Sequence, residues 1–425
     1  MTLSADNRRL VSNTAFLYIL VFSSQLLNLA TIPYQTRVLG PSCYGVVGAI
    51  VGIMGLVTII LDFGFLLSAT KRISEVRDDQ TQISKIMSSV LGCKMLLVLV
   101  LCVAGLAATF AVQVLVENRV LFVLYLAAYS VSGMLPDFVY RGIEDMKAIT
   151  IRTVCVRVFC AALIFVFLRG PEDVFVLPLL LLAGNALAAL YSFYDLKRRF
   201  KIVFLIPKLN SIIDCCKESL PYFGSRFAST AYQSLNAVLL GAVYPGNPVV
   251  GYYTSADKFM SLVKTASSPV ADSLFPYMTR NKNYRLCKRI LLLSCLPIAL
   301  LGFIAFVFAP EICAVAFGEE YRDAGQLLRC LLPAMLVIFP TYIICFPILV
   351  PMGLSKQANL STGIGALIQI SLIVVLTLSG NFSAVNLCIS ASVSEVSVFL
   401  YRLFVMLKNW DRTQLSIERI SNEVN

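Results

Sequence analysis

Stretches of about 20 apolar residues recur along the whole chain, and each is long enough to cross a hydrocarbon core about 30 Å thick. Twelve can be drawn, over residues 11–32, 45–67, 87–116, 120–140, 149–168, 174–194, 222–243, 252–277, 290–308, 327–349, 358–378 and 383–406. Lipid offers backbone N–H and C=O groups no water. A spanning segment must therefore bond them internally as a helix, or join a closed barrel whose strands are short and alternating. Long continuous segments predict helices, so the expected fold class is an all-α integral membrane protein with about twelve transmembrane helices. Only 14% of the residues are charged, against about 25% in an ordinary soluble domain, and the mean hydropathy is +0.81. A soluble enzyme is excluded on these grounds. Arg8 and Arg9 precede the first span as they would in a secretion signal, but the span is too long for a signal core and lacks a small-residue cleavage site. It is expected to stay attached.

Orientation follows from the loops. With both termini cytoplasmic, one side holds Lys71, Arg72, Arg77 and Lys85, then Lys197, Arg198, Arg199 and Lys201, then Arg280, Lys282, Arg285, Lys288 and Arg289. The other holds Arg37, Arg119, Arg169 and Arg322. This is the positive-inside pattern of a cytoplasmic membrane, and it accounts for most of the net charge of +11 without nucleic acid as a partner. The chain has 13 cysteines, most within apolar spans, no C-x-x-C pair and no histidine, so metal and redox cofactors are not expected. Cys215 and Cys216, adjacent in a cytoplasmic loop, are read as structural.

The longest polar interruption, residues 197–219, divides the spans six and six. The expected organisation is a bundle over 1–196, a linker over 197–219, a second bundle over 220–407 and a tail over 408–425. An internal repeat supports it. Gln25-Leu26-Leu27-Asn28, Leu39-Gly40 and Tyr44-Gly45 in the first half correspond in order to Gln233-Ser234-Leu235-Asn236, Pro245-Gly246 and Val250-Gly251 in the second. The shared glycine spacing predicts a tight outer turn between the first two helices of each half.

Ionisable groups inside a span cost about 2.5–3.5 kcal/mol each at a helix centre, so they face a cavity or a partner. Arg226, Ser229, Gln233 and Asn236 fall on one face of the seventh span, and Asp257, Ser261, Lys264, Ser268 and Asp272 on one face of the eighth. Tyr18, Gln25 and Asn28 form a similar face on the first. A hydrated central cavity between the halves is the inference. Its cations, Arg226 and Lys264, suit an anionic ligand such as a phosphate or diphosphate, while Gln25, Asn28, Gln233 and Asn236 suit hydroxyls. Two alternatives stand beside this: Lys264 pairs with an acid on a neighbouring helix, and Asp257, Lys258 and Asp272 sit at the interfaces. Asp62, Lys94, Asp137, Arg157, Arg329 and Glu395 are further intramembrane groups, most of them near span ends. Asp137 and Arg141, four apart, are expected to pair on their own helix. Asp62, Asp272 and Glu395 are the candidates for ion coupling. Gly48 and Gly52 form a small-xxx-small packing contact, and Asp62-Phe63-Gly64 is a chance match to a kinase motif, since no other kinase element accompanies it. No phosphate loop for ATP hydrolysis is present. Energy is then expected from an ion gradient, the membrane potential, a partner or the substrate gradient.

Arg37-Val38-Leu39-Gly40, Tyr44-Gly45, Asp62-Phe63-Gly64-Phe65, Ser68-Ala69-Thr70 and Arg72-Ile73-Ser74 together resemble the opening of bacterial polysaccharide flippases of the O-antigen transporter type. Val250-Gly251-Tyr252-Tyr253 with Ala256 and Lys258 resembles the start of their second half, and Phe317-Gly318-Glu319-Glu320-Tyr321 the turn before their tenth helix. The resemblance implies membership of the multidrug, oligosaccharidyl-lipid and polysaccharide exporter superfamily. That carries a MATE-like architecture of two six-helix bundles around a central cavity with alternating access. It also implies a polyprenyl-diphosphate-linked oligosaccharide as substrate, the bacterial cytoplasmic membrane as location, and polysaccharide polymerase and chain-length machinery as candidate partners. Arg226 and Lys264 match no fixed family motif. The alternative, a multidrug exporter of the same fold, would favour acidic or apolar cavity residues over basic ones. A membrane-embedded polymerase or glycosyltransferase would need a large outer loop or soluble region, and neither is visible.

Overall fold

The computed structural model describes the backbone of residues 5–282 and 284–423, and the side chains of residues 13, 15–223, 235–275, 277–280, 282 and 284–410. It divides into two compact units, Met1–Asn247 and Pro248–Asn425. Helices in the first unit are α1 (Ala5–Asp62), α2 (Phe65–Glu75), α3 (Gln80–Ala111), α4 (Gln113–Glu117), α5 (Arg119–Gly133), α6 (Asp137–Gly142), α7 (Met146–Phe167), α8 (Val176–Phe200) and α9 (Leu209–Val243). The second unit has α10 (Pro248–Asn281), α11 (Tyr284–Val307), α12 (Ala309–Phe317), α13 (Ala324–Ile343), α14 (Ser355–Leu378) and α15 (Ala384–Glu423). Among the described residues there is no strand. Nine helical segments among them are long and apolar enough to cross a membrane, the first of which, Ala15–Glu75, contains both the first and the second expected span.

Each expected span lies on a helix, and most of the differences are at breaks. α1 turns at Gly40, whose φ of 70° and ψ of 169° lie outside helical space, with Pro41 following. Gly246, between α9 and α10, also has φ of 70°. The first glycine of each pair in the repeat, Gly40 and Gly246, therefore occupies backbone that a side chain would disfavour. The expected fourth span is broken into α5 and α6 at Met134-Leu135-Pro136, where the proline lacks the N–H to continue the first helix. Proline also marks the end of α13, where Pro340 and Pro347 flank or enter a π-helical stretch, Ile344–Leu349.

The connection between the sixth and seventh spans is shorter than residues 197–219. α8 runs on through Lys197, Arg198 and Arg199, cations favourably placed at a helix C-terminus, and α9 begins at Leu209. Residues 201–208 between them are irregular, and their backbone is satisfied by side chains of α3: Val203 N–H donates to Ser84 Oγ at 3.2 Å and Leu205 N–H to Ser88 Oγ at 2.8 Å. α9 packs against α1 and α3 within the first unit. Across α3 and α9, Cys216 Sγ lies 3.3 Å from Cys93 Sγ, a thiol pair joining elements 123 residues apart that the sequence reading had not brought together.

The first unit has two chemically distinct ends. At one end of the first unit, Arg72 pairs with Glu218 at 3.1 Å, Arg77 with Glu144 at 3.0 Å and Arg199 with Asp145 at 2.8 Å. Beneath them lies an apolar core that includes Phe65, Ile73, Met87, Phe138 and Leu196. At the other end, Tyr34 Oη donates to the Leu168 carbonyl at 2.7 Å. The loops carrying Arg72, Arg77 and Arg199 thus meet at one end of the first unit. In the second unit the corresponding core joins Met278, Tyr284, Ile348, Leu349 and Val405, with the Trp410 ring 6.2 Å from that of Tyr284.

Apolar side chains also cover the outside. Leu99, Val103 and Phe110 on α3, and Leu293, Leu296, Leu301 and Phe303 on α11, are all exposed. Only 6% of the most apolar window of α11 is buried. No water-facing helix would carry such a surface, so lipid is its solvent. This is a multi-pass membrane protein.

Candidate functional site

In the first unit a buried polar network fixes α6, α7 and α8. Arg152 on α7, with 3% of its side chain exposed, pairs through Nη2 with Asp137 Oδ1 at 2.7 Å. Its Nη1 donates to Ser192 Oγ on α8. Tyr140 Oη donates to Asp195 Oδ2 at 3.0 Å, and Arg199 lies 3.3 Å from the same carboxylate. Asp137 therefore reaches across to α7 and does not pair with Arg141 as expected. It is the first residue of α6, a helix only six residues long, and its carboxylate meets the buried guanidinium instead. Lys94 on α3 is buried as well; it donates to the Gly133 carbonyl at 2.7 Å and sits in the field of the Asp62 and Asp137 carboxylates. Asp62, expected to couple ions, thus has an internal cation close by.

A second cation in this unit is differently held. Arg157 lies near the midpoint of α7, not near its end, and its guanidinium donates to Ser24 Oγ on α1. No carboxylate engages it among the described residues, and it is exposed. α1 packs against both α7 and α9. Next to Ser24 is half-buried Gln25; Asn28, one turn on, is exposed, and Asn236 on α9 is buried. Arg226, Ser229 and Gln233 belong to α9, but their side chains lie outside the described residues.

In the second unit two residues given separate roles by the sequence form one ion pair. Lys264 Nζ on α10 lies 2.8 Å from Glu395 Oε1 on α15, with side chains 20% and 15% exposed. Lys264 is thus compensated internally and not a lone cation. Ser268 Oγ donates to Asp272 Oδ2 at 2.9 Å one turn further along α10, which leaves that carboxylate exposed. Asp257 is half-buried and Ser261 exposed. A further charge escaped the sequence reading: Arg402 on α15, 8% exposed, donates to Ser361 Oγ at 2.7 Å, Thr362 Oγ1 at 3.0 Å and the Thr341 carbonyl at 3.3 Å. Hydroxyls and a carbonyl from α13 and α14 replace the water it has lost.

The Lys264–Glu395 pair carries a direct prediction. Glu395→Met removes the carboxylate that meets Lys264 Nζ at 2.8 Å and is expected to lower the melting temperature of the detergent-purified protein by several degrees, whereas Lys264→Met/Glu395→Met recovers most of that loss. A double variant no more stable than Glu395→Met would show that the two side chains do not interact.

Comparison with known proteins is consistent across sequence and structure. A family model described as polysaccharide biosynthesis protein matches residues 10–282. A Shigella dysenteriae protein named as a candidate O-antigen transporter is 26% identical over 399 residues, covering 92% of this chain and 98% of its own length. A protein of the same name from Escherichia coli (strain K12) is 20% identical over 404 residues, covering 93% and 96%. Among solved structures, the inward-facing conformation of a multidrug resistance MATE family transporter superposes with a TM-score of 0.66 at 16% identity, covering 92% of this chain and 94% of that one. Lipid II flippase MurJ, in an inward closed conformation, superposes with a TM-score of 0.64 at 15% identity, covering 95% and 90%. The fold is therefore the MATE-like one.

Proposed function

Because the chain belongs to the polysaccharide biosynthesis protein family, we propose that it is a flippase that turns a polyprenyl-diphosphate-linked oligosaccharide from the cytoplasmic to the outer leaflet by alternating access. The observation that carries this reading is Arg157. A guanidinium at mid-span, held by a serine hydroxyl and no carboxylate among the described residues, retains its charge for a ligand. Such a group is costly in lipid and must face water or a counter-ion. A diphosphate supplies that counter-ion through charge-assisted hydrogen bonds, whereas a cationic drug would be repelled. Arg226 is a second candidate for the diphosphate, and Gln25, Asn28, Gln233 and Asn236 for the sugar hydroxyls. All of them belong to the first unit, where α1 packs against α7 and α9. The polyprenyl tail stays in the bilayer.

Coupling is proposed first for the Lys264–Glu395 pair of the second unit. An ion that separates Glu395 from Lys264 would act at this pair; Asp272 in the same unit and Asp62 in the first unit are the further candidates. The basic ends of the units face the cytoplasm under the positive-inside rule, with both termini on that side. The names of the two relatives, both O-antigen transporters, support a lipid-linked glycan as cargo. The multidrug reading draws on fold likeness alone.

The test is deletion of the gene followed by measurement of which leaflet holds the lipid-linked oligosaccharide. Accumulation facing the cytoplasm, cleared by wild type, is the expected outcome. Unchanged delivery to the outer leaflet, in a strain without a second flippase, would rule the reading out.

A further inference from the structure

The second unit contains a polar pocket that the proposed transport path does not use. It has a volume of about 470 Å3, and its lining includes Tyr252, Arg322, Asp323, Gln326, Arg329 and Leu327. That volume falls within the range of small-molecule sites, about 300–1,000 Å3. The pocket lies where the connection between α11 and α13 meets the start of α10, on the outer side under the orientation given above. The motif Phe317-Gly318-Glu319-Glu320-Tyr321 runs directly into its lining residue Arg322, and Tyr321 supports a second lining residue, Tyr252. Phe317 is buried against Phe259, their ring centroids 5.2 Å apart, and Tyr321 is buried 6.0 Å from the ring of Tyr252, which it holds edge-on.

The charges decide what fits. Arg322 is spent: it donates to Glu319 Oε1 at 2.9 Å and to Glu311 Oε1 at 3.0 Å, a trio that sums to one negative charge. Arg329 donates through Nε to the Phe306 carbonyl at 2.8 Å and through Nη2 to that of Val307 at 3.2 Å, and it lies over the Phe306 ring. Those carbonyls end α11 and have no helical partner of their own. Among the described residues nothing accepts from Nη1 of Arg329, which can donate. No other side chain engages the Asp323 carboxylate or the Gln326 amide among the described residues, and both residues are exposed. Arg329 and Asp323 cancel, which leaves the rim slightly acidic through the glutamates. A diphosphate would be repelled there, and a small cation would meet Arg329. An uncharged polyol suits it best, because each hydroxyl both donates and accepts. Asp323 supplies acceptors, Arg329 donors and Gln326 both, beside an aromatic ring for the C–H face of a sugar.

We propose that this pocket is a second, outer-face saccharide site that takes an uncharged sugar ring of the oligosaccharide once it has been turned to the outer leaflet. The assignment rests on the flippase reading for the source of the sugar, and on Tyr252, Asp323, Gln326 and Arg329 for its chemistry. Such a site would hold the translocated unit by its glycan while the diphosphate leaves the transport path, and would disfavour its return.

Saturation-transfer NMR on the purified full-length protein in phosphatidylcholine nanodiscs tests the pocket directly. The probes are glucose, galactose, rhamnose, N-acetylglucosamine and their disaccharides, with sodium diphosphate as competitor. At least one sugar is expected to receive saturation on its ring C–H protons. Affinity should fall about tenfold in Asp323→Asn and in Gln326→Ala, as the loss of one or two hydrogen bonds implies, and diphosphate should not compete. Both substitutions are at exposed positions, and a wild-type melting temperature would show that the variants are folded. Absence of saturation for every sugar, unchanged affinity in both folded variants, or displacement by diphosphate would overturn the proposal. A failure of the flippase reading is distinguishable: it would leave lipid-linked oligosaccharide correctly oriented in the deletion strain, whatever the pocket binds.

Discussion

Asp137→Ala is expected to destabilise the first unit by about 3–5 kcal/mol, the usual cost of leaving a buried charge without its partner. The partner left behind is Arg152, whose side chain is 3% exposed and whose remaining hydrogen bonds, among the described residues, go to hydroxyls. An arginine cannot shed its charge to escape the penalty. Arg152→Met should cost less, because Asp137 is 33% exposed and can be solvated or neutralised. The double variant Asp137→Ala/Arg152→Met removes both charges and is expected to recover most of the loss. Thermal unfolding monitored by size-exclusion chromatography of the detergent-purified variants separates these cases. Equal stability of Asp137→Ala and wild type would mean that the α6–α7 pair does not hold the unit together.

Arg157→Gln is expected to leave the fold intact and to cut transport at least tenfold. Its guanidinium contacts one serine hydroxyl and no acid among the described residues, so little structure depends on its charge. A hydrogen bond to a charged group contributes about 1.5–3 kcal/mol, or roughly 10–150-fold in affinity for an anionic ligand. Arg157→Lys keeps the charge but loses the planar fork, and should fall between the two. The measurement is the rate at which lipid-linked oligosaccharide reaches the outer leaflet at matched protein levels. A wild-type rate in Arg157→Gln would remove this residue from the binding site.

What could be read in the sequence was local. The spans stand out because about 20 apolar residues in a row have one stable form in lipid, and the paired turns stand out because Gly40 and Gly246 sit at positive φ, where glycine is favoured. Pairings across the chain could not be read in the same way. Lys264 and Glu395 are 131 residues apart, and Cys93 and Cys216 are 123 apart, so neither pair leaves a spacing signal. Asp137 shows how a local rule fails: the four-residue spacing to Arg141 favours a helical pair, but α6 is too short to dictate it and a buried guanidinium 15 residues on offers the better partner. Arg157 was legible as an intramembrane charge, and Arg402, which was not named, left the same signal, a single arginine between apolar neighbours. Of the proposed site, the polar positions Gln25, Asn28 and Asn236 were legible from helical spacing, whereas the compensation of Lys264 required the fold.

The most direct measurement is reconstitution. The purified protein would be placed in liposomes carrying a polyprenyl-diphosphate-linked oligosaccharide in the inner leaflet, and appearance of the glycan outside would be followed with a glycosidase that cannot cross the membrane. Wild type is expected to expose the glycan to the enzyme, faster under an imposed proton or sodium gradient, while Arg157→Gln and protein-free liposomes remain protected. Protection in wild-type liposomes under every gradient, from protein shown to be folded, would contradict the assignment of this chain as a flippase.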